Sequence, residues 1–433
     1  MRLKSIRLVL GTWILVACTC QAANWPQWRG PFFDGSTTEK NLPSQWSTEE
    51  GVAWKTPLPG FAGSTPVIWN DDVFVTSPDS SKNLNLLCLS AKDGKIKWQK
   101  EIAVGDRNEG RNNMSSPSAA TDGKKVIAMF GTGDLVAYSV GGKELWALNL
   151  ARKYGRFSIM WLYGSTPLLM DNKLYVQVLE NNDPSGYPHA VDDKPTRQSY
   201  ILCLEAETGK EIWRHIRQTD AIVEAQESYS SPVPLKVGND LQLVVIGGDY
   251  ATGHDFRDGR ELWRQGGLNE RHEKFWRLVP SPTPGDGVIF VAAPRKDPVL
   301  AIKPGSGGSS AELLWKFKEF PSDCPTPLYY QHQLFVLDGD KYMMTCLDPK
   351  TGGKKWQGEM GIREIFRSSP TGADGKIYCV SEKGTVVVLE AGPEFKILAT
   401  IKHNDEPVRG SIAVANGHLF IRGGKNLWCI GPK

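Results

Sequence analysis

The hydrophobic pattern of the chain is one of short apolar runs separated by turn formers. Val73-Phe74-Val75, Leu174-Tyr175-Val176, Ile289-Phe290-Val291, Leu334-Phe335-Val336 and Leu419-Phe420-Ile421 each lie between segments rich in Gly, Asp and Asn. Short runs of β-branched and aromatic residues bounded by such turns predict β-strands. Two further signatures recur in register with them. One is an apolar strand, a Gly turn and a strand carrying Trp, clearest at Cys88–Trp98, Cys203–Trp213 and Cys346–Trp356 and looser before Trp146, Trp263 and Trp315. The other is Ser or Thr before Pro, at Pro66, Pro117, Pro167, Pro232, Pro282, Pro327 and Pro370. Most repeats span 41 to 52 residues; the longest contains an insertion at Asn181 to Ser199.

Four strands per repeat of this length predict a blade of a β-propeller, and eight middle strands predict eight blades. The last repeat stops without a Trp strand, while Val52-Ala53-Trp54-Lys55 stands unassigned near the other end. The N-terminal strand is therefore expected to complete the C-terminal blade, closing an all-β ring without an open edge. Trp54, Trp98, Trp146, Trp213, Trp263, Trp315 and Trp356 are read as packing residues, each large ring covering the neighbouring blade while its N–H finds an acceptor.

Composition changes this picture little. With 433 residues and 40% apolar content the chain can bury a large core. Lys and Arg number 51 against 48 Asp and Glu, but Arg2, Lys4 and Arg7 stand in an N-terminal basic segment. Without them the charges balance, which argues against a global field for nucleic acid. That basic segment and the ten apolar residues Leu8 to Ala17 predict a signal peptide over 1–22. Cleavage is readable in two ways: a lipobox ending at Cys18, which would make Cys18 a lipidation site, or ordinary cleavage before Ala23. The expected organisation is thus 1–22 signal, 23–50 leader and 51–433 propeller, in a monomeric ring exported to the periplasm or to the periplasmic face of the outer membrane, with a lipid anchor if the lipobox is used.

The motif around Ala206–Trp213 and Leu347–Trp356 resembles the tryptophan-docking motif of the pyrroloquinoline-quinone (PQQ) type propeller family, and the resemblance runs from about Trp54 to Ile430. That family includes quinoprotein dehydrogenases holding PQQ and calcium on the axis, and non-catalytic scaffolds such as the Bam-complex lipoprotein. The leader Asn24-Trp25-Pro26-Gln27-Trp28-Arg29-Gly30-Pro31 resembles the start of exported family members from planctomycetes and related bacteria. The chain departs from the dehydrogenase pattern in having no adjacent cysteines, and no Glu, Asn and Asp set for calcium can be identified. The expectation is no catalytic residue, no cofactor and no metal, with PQQ and calcium as the alternative.

Cys88, Cys203 and Cys346 share one strand position, with Cys429 near it, and are expected to be buried thiols. A disulfide involving Cys324 or Cys379 is left open. The seven His show no metal-ligand spacing.

A site is expected where the loops before the Ser-Pro strands open onto the axis. The candidates there are Arg107, Arg111, Arg156, Trp161, Glu227, Tyr229, Trp276, Arg277, Arg367 and Arg409, with Tyr229, Arg367 and Arg409 at one shared ring position and the insertion as a lid. Arginines and aromatic faces suit a protein partner or envelope component, an acidic peptide, a glycan or a small anion. The alternative is that each Arg pairs with a nearby Glu and only fills the channel mouth.

Overall fold

The computed structural model describes residues 24–183, 197–295 and 297–432. The signal segment with Cys18 therefore lies outside the described residues. Within them the chain forms eight four-stranded antiparallel sheets, one per repeat. The first is built from Val67–Trp69, Asp72–Pro78, Asn83–Ser90 and Ile96–Val104. The first strands of successive sheets touch one another around the ring. The two middle strands of each blade are buried on both faces, whereas fourth strands such as Ile96–Val104 run between half-buried and exposed positions.

Closure follows the expectation. Val52–Pro57 pairs antiparallel with Asn426–Ile430 and completes the blade begun by Ala413–Ala415 and His418–Arg422. The ring consequently has no free sheet edge between its first and last blades.

The repeated Trp side chains dock as expected, with one variation. Trp54 Nε1–H donates to Ala91 O in the next blade at 2.8 Å, Trp98 to Val140 O at 2.9 Å, and Trp146 to Ala206 O at 2.9 Å. Trp213, Trp315 and Trp356 reach Phe256 O, Pro349 O and Gly392 O in the same way. The rings of Trp54, Trp98, Trp146, Trp213 and Trp315 each lie over a Gly of the turn they bond. At Gly94 (φ +71) a Cβ would stand 2.5 Å from the Trp54 ring, and at Gly352 (φ +70) 2.6 Å from Trp315. Trp263 differs: it donates to Gln242 Oε1 in its own blade at 2.6 Å, and Gln242 Nε2 passes the link to Gly305 O at 2.9 Å.

The leader is part of the ring. Trp25 exchanges two backbone hydrogen bonds with Ile68 on the innermost strand of the first blade, both 2.9 Å, and Thr121 N–H donates to Pro26 O. Arg29 then reaches across the axis, donating to Pro327 O at 2.7 Å and Pro370 O at 3.1 Å. Farther on, the Tyr378 hydroxyl donates to Pro43 O, and Trp46 Nε1–H donates to His403 Nε2. The segment thus crosses one end of the central channel and turns the channel into a cup.

Candidate ligand and partner site on the axis

The Ser and Thr residues that mark the innermost strands form a continuous ring. Thr65 N–H donates to the Ser118 hydroxyl at 2.9 Å, Ser118 to Thr166 at 3.1 Å, Thr166 to Ser231 at 2.9 Å and Ser231 to Ser281 at 2.8 Å. Ser281 continues to Thr326, Thr326 to Ser369 and Ser369 to Ser411. Ser411 N–H returns to Thr65 at 2.9 Å, so eight amide-to-hydroxyl bonds encircle the axis. In the second blade the ring residue is Ser118, which follows Pro117; the Ser-Pro marker there sits two residues earlier than in the other blades.

These hydroxyls lie at the base of a cup of about 320 Å³. Two residues before each of them comes a second tier: Gly63, Ser116, Gly164, Tyr229, Val279, Cys324, Arg367 and Arg409, all lining the cup. The shared position of Tyr229, Arg367 and Arg409 is therefore real. Gly63, Ser116 and Gly164 make one side of this tier small, so the cup widens there.

Of the expected site residues, Arg111, Trp161, Tyr229, Arg277, Arg367 and Arg409 line the cup. Arg107 and Arg156 do not; both are exposed on loops outside it. Glu227 is fully buried behind the wall, where its carboxylate accepts from Met160 N–H at 2.9 Å and from the Tyr229 hydroxyl at 2.8 Å. Trp276 stands on the rim, with Arg271 and Arg295 over its ring at 5.7 and 5.4 Å. The insertion leaves the wall at Asn181, whose N–H bonds Ser158 O. Residues 184–196, on which the lid expectation falls, lie outside the described residues.

The wall is held by charge pairs that the sequence did not single out. Arg111 and Arg409 share Glu382, at 3.2 and 2.9 Å. Arg277 approaches Glu224 at 3.6 Å, and Glu224 also accepts the Trp161 indole N–H at 2.7 Å. Arg367 makes a bidentate pair with Asp340, at 2.7 and 3.1 Å. Each rim arginine thus has an acid beside or behind it, which supports the pairing alternative for the arginines. A bidentate guanidinium–carboxylate pair fixes the plane of the Arg367 side chain.

All six described cysteines are free thiols, Cys324 and Cys379 included. Burial beside Asp323 pushes the Cys324 thiol up to about 12, so it is not a nucleophile at neutral pH.

A family model described as outer membrane protein assembly factor BamB matches residues 36–178, 197–309 and 296–393. The chain belongs to this family. No curated protein sequence matches it. Among solved structures, this BamB-family chain is similar to BamB from Moraxella catarrhalis, at 14% identity and a TM-score of 0.57, covering 86% of this chain and 97% of that one. It is also similar to a quinohemoprotein alcohol dehydrogenase from Pseudomonas putida, at 13% identity and a TM-score of 0.64, covering 95% and 81%. A europium-containing methanol dehydrogenase gives 11% identity and a TM-score of 0.65, covering 93% and 90%. At these identities the likeness is one of fold.

The dehydrogenase neighbours raise the question of a metal and quinone on the axis. Calcium takes six to eight oxygen ligands, carboxylates prominent among them. The cup of this BamB-family ring is lined by four arginines and one acid, Asp323. Among the described residues no three His, Cys, Asp or Glu side chains stand together to hold a metal. The residues present do not fit a calcium ion on the axis.

Proposed function

We propose that this BamB-family propeller is an exported, non-enzymatic scaffold that binds a protein component of the cell envelope at the rim of its axial cup. The observation that carries this reading is a partly apolar rim. Phe275 is 53% exposed and Ile222 41% exposed, on loops joined by the bond from Ala225 N–H to Lys274 O. Trp276 lies beside them under its two arginines. Exposed aromatic side chains with arginine, held on a stiff frame, are what protein interfaces are enriched in. Membership of a family of outer membrane protein assembly factors supports an envelope partner and a periplasmic location.

The test is capture from envelope extract with the purified mature chain and with the double variant Phe275→Ser/Trp276→Ser. A discrete partner retained by the parent and lost by the variant supports the reading. Equal retention by both would place the interface elsewhere.

A further inference from the structure

The ring of eight hydroxyls does more than join the blades. A hydroxyl offers one proton and two lone pairs. Each ring oxygen gives one lone pair to its neighbour's amide N–H, which leaves every O–H proton to be donated elsewhere. None of the eight donates to an acceptor among the described residues, although these side chains are only 1% to 5% exposed. Because they line the cup, these protons are turned to whatever solvent or guest it holds rather than sealed from it. Here all eight face one space, the floor of the cup. The amide bond accepted by each hydroxyl also polarises it, which makes it a stronger donor.

The surroundings decide the sign of the guest. Beneath the ring, Arg29 donates to the carbonyls of Pro327 and Pro370, the residues directly after Thr326 and Ser369. Arg29 is 1% exposed, and its Nε has no partner among the described residues. Among the described residues the one acid lining the cup is Asp323. A cation could use the remaining lone pairs of the hydroxyls, but it would meet this guanidinium from below; the four wall arginines are paired with Glu382, Glu224 and Asp340 and add no net sign. An acceptor-rich anion meets O–H donors around the whole ring and the Arg29 guanidinium beneath it.

We infer that the floor of the axial cup is an oxyanion site, seating a carboxylate- or phosphate-type group against the hydroxyl ring. The body of the ligand would lie toward Gly63 and Gly164, where the wall is smallest, with the Trp161 and Tyr229 rings alongside. The inference deepens the scaffold reading but stands on the floor of the cup, whereas that reading stands on the rim. The group could arrive as a small free anion or as the terminal carboxylate of a peptide, and the test separates the two.

The full mature chain is titrated calorimetrically, at constant ionic strength, with inorganic phosphate, benzoate, a short peptide bearing a free C-terminal carboxylate, and the same peptide amidated. Crystals grown with selenate locate the site. The comparison variant is Gly164→Leu, because a Cβ at Gly164 meets nothing closer than Tyr229 at 3.8 Å, so the added side chain fills the cup while the ring stays whole. Saturable binding of at least one oxyanion, weakened at least about tenfold by Gly164→Leu, with selenate at the ring, is the expected result. Preference for the free over the amidated peptide identifies a chain terminus as the source; binding of phosphate or benzoate alone identifies a small anion. No saturable binding of any probe, with only water at the ring, overturns the inference. Gly164→Leu is also put through the envelope capture. Partner retention without anion binding would leave the scaffold reading standing alone, and anion binding without any partner would do the reverse.

Discussion

The backbone N–H of Ser411 donates to the Thr65 hydroxyl at 2.9 Å, joining residues 346 positions apart and completing the circle of eight bonds around the axis. This contact and the pairing of Val52–Pro57 with Asn426–Ile430 close the same junction, one at the innermost strand and one at the outermost. A Thr65→Val change keeps shape but orphans the Ser411 amide. It should lower stability by roughly 1–3 kcal/mol, while Thr65→Ser, which restores the acceptor, should stay close to the parent. Denaturant unfolding of the three proteins checks this; a loss for Ser with none for Val would show that the methyl, not the hydroxyl, matters.

The Gln242 relay replaces a direct Trp bond between the fourth and fifth blades. Gln242→Leu leaves the Trp263 indole N–H and Gly305 O without their partner and should cost roughly 1–3 kcal/mol. Calorimetric melting gives the comparison, and an unchanged melting temperature would mean that Trp263 holds the junction by packing alone.

Arg29 is buried among carbonyls with little opposing charge, and burial lowers its guanidinium from the usual arginine range to about 10, with Asp34 partly compensating. Arg29→Ala removes the bonds to Pro327, Pro370 and Asp34. The leader should then be cut by protease at residues 30–50 while the ring stays intact. A leader that remains protected would show that Trp25 and Trp46 anchor it without Arg29.

The propeller itself was readable because its information is repeated. Strand, Gly turn and Trp recur once per blade, and the missing fourth strand of the last blade pointed directly to Trp54. The second tier of the cup was readable in part, since Tyr229, Arg367 and Arg409 stand at a fixed offset from a repeated marker. Ser118 was not readable as a ring residue, because the second blade keeps the ring hydroxyl and shifts its Pro to the other side. Docking of the leader was not readable, as Arg29 finds Pro327 and Pro370 through a non-repeating segment. Nor were the partners of the rim arginines: Glu382 is joined to Arg111 only by the closed ring, and Glu224 meets Arg277 only by blade packing.

His403 is buried and accepts the Trp46 indole N–H, and burial lowers its pKa to about 4, with Asp405 opposing the shift. Its folded value lies below the unfolded value of about 6.5, so the unfolded chain binds the proton first. The stability it contributes is complete above pH 6.5 and declines as pH falls toward 4. His403→Gln, which keeps an acceptor for Trp46 and cannot titrate, should show a flatter profile of melting temperature between pH 7 and pH 4. Identical slopes for parent and variant would assign the acid sensitivity to other groups.

Asp249 behaves in the opposite sense. Burial raises its carboxyl to about 6, despite the bond from Asn269 and the nearby His272. A folded value above the unfolded one of about 3.9 means that its contribution is present below that pH and is lost as pH rises through 6. Asp249→Asn should therefore raise the melting temperature at pH 8 and leave it nearly unchanged at pH 4. A loss at pH 8 would show that the charged form is needed.

The central claim is that the cup rim of this BamB-family propeller is a protein-binding surface. A photo-crosslinking residue placed in the cell at Phe275, and as a control at Ile96 on the outer edge of the first blade, tests it most directly. The account predicts one discrete cross-linked envelope protein from the rim position and none from the edge. Cross-linking from the edge alone, or calcium-dependent alcohol oxidation by the purified chain with PQQ, would contradict it.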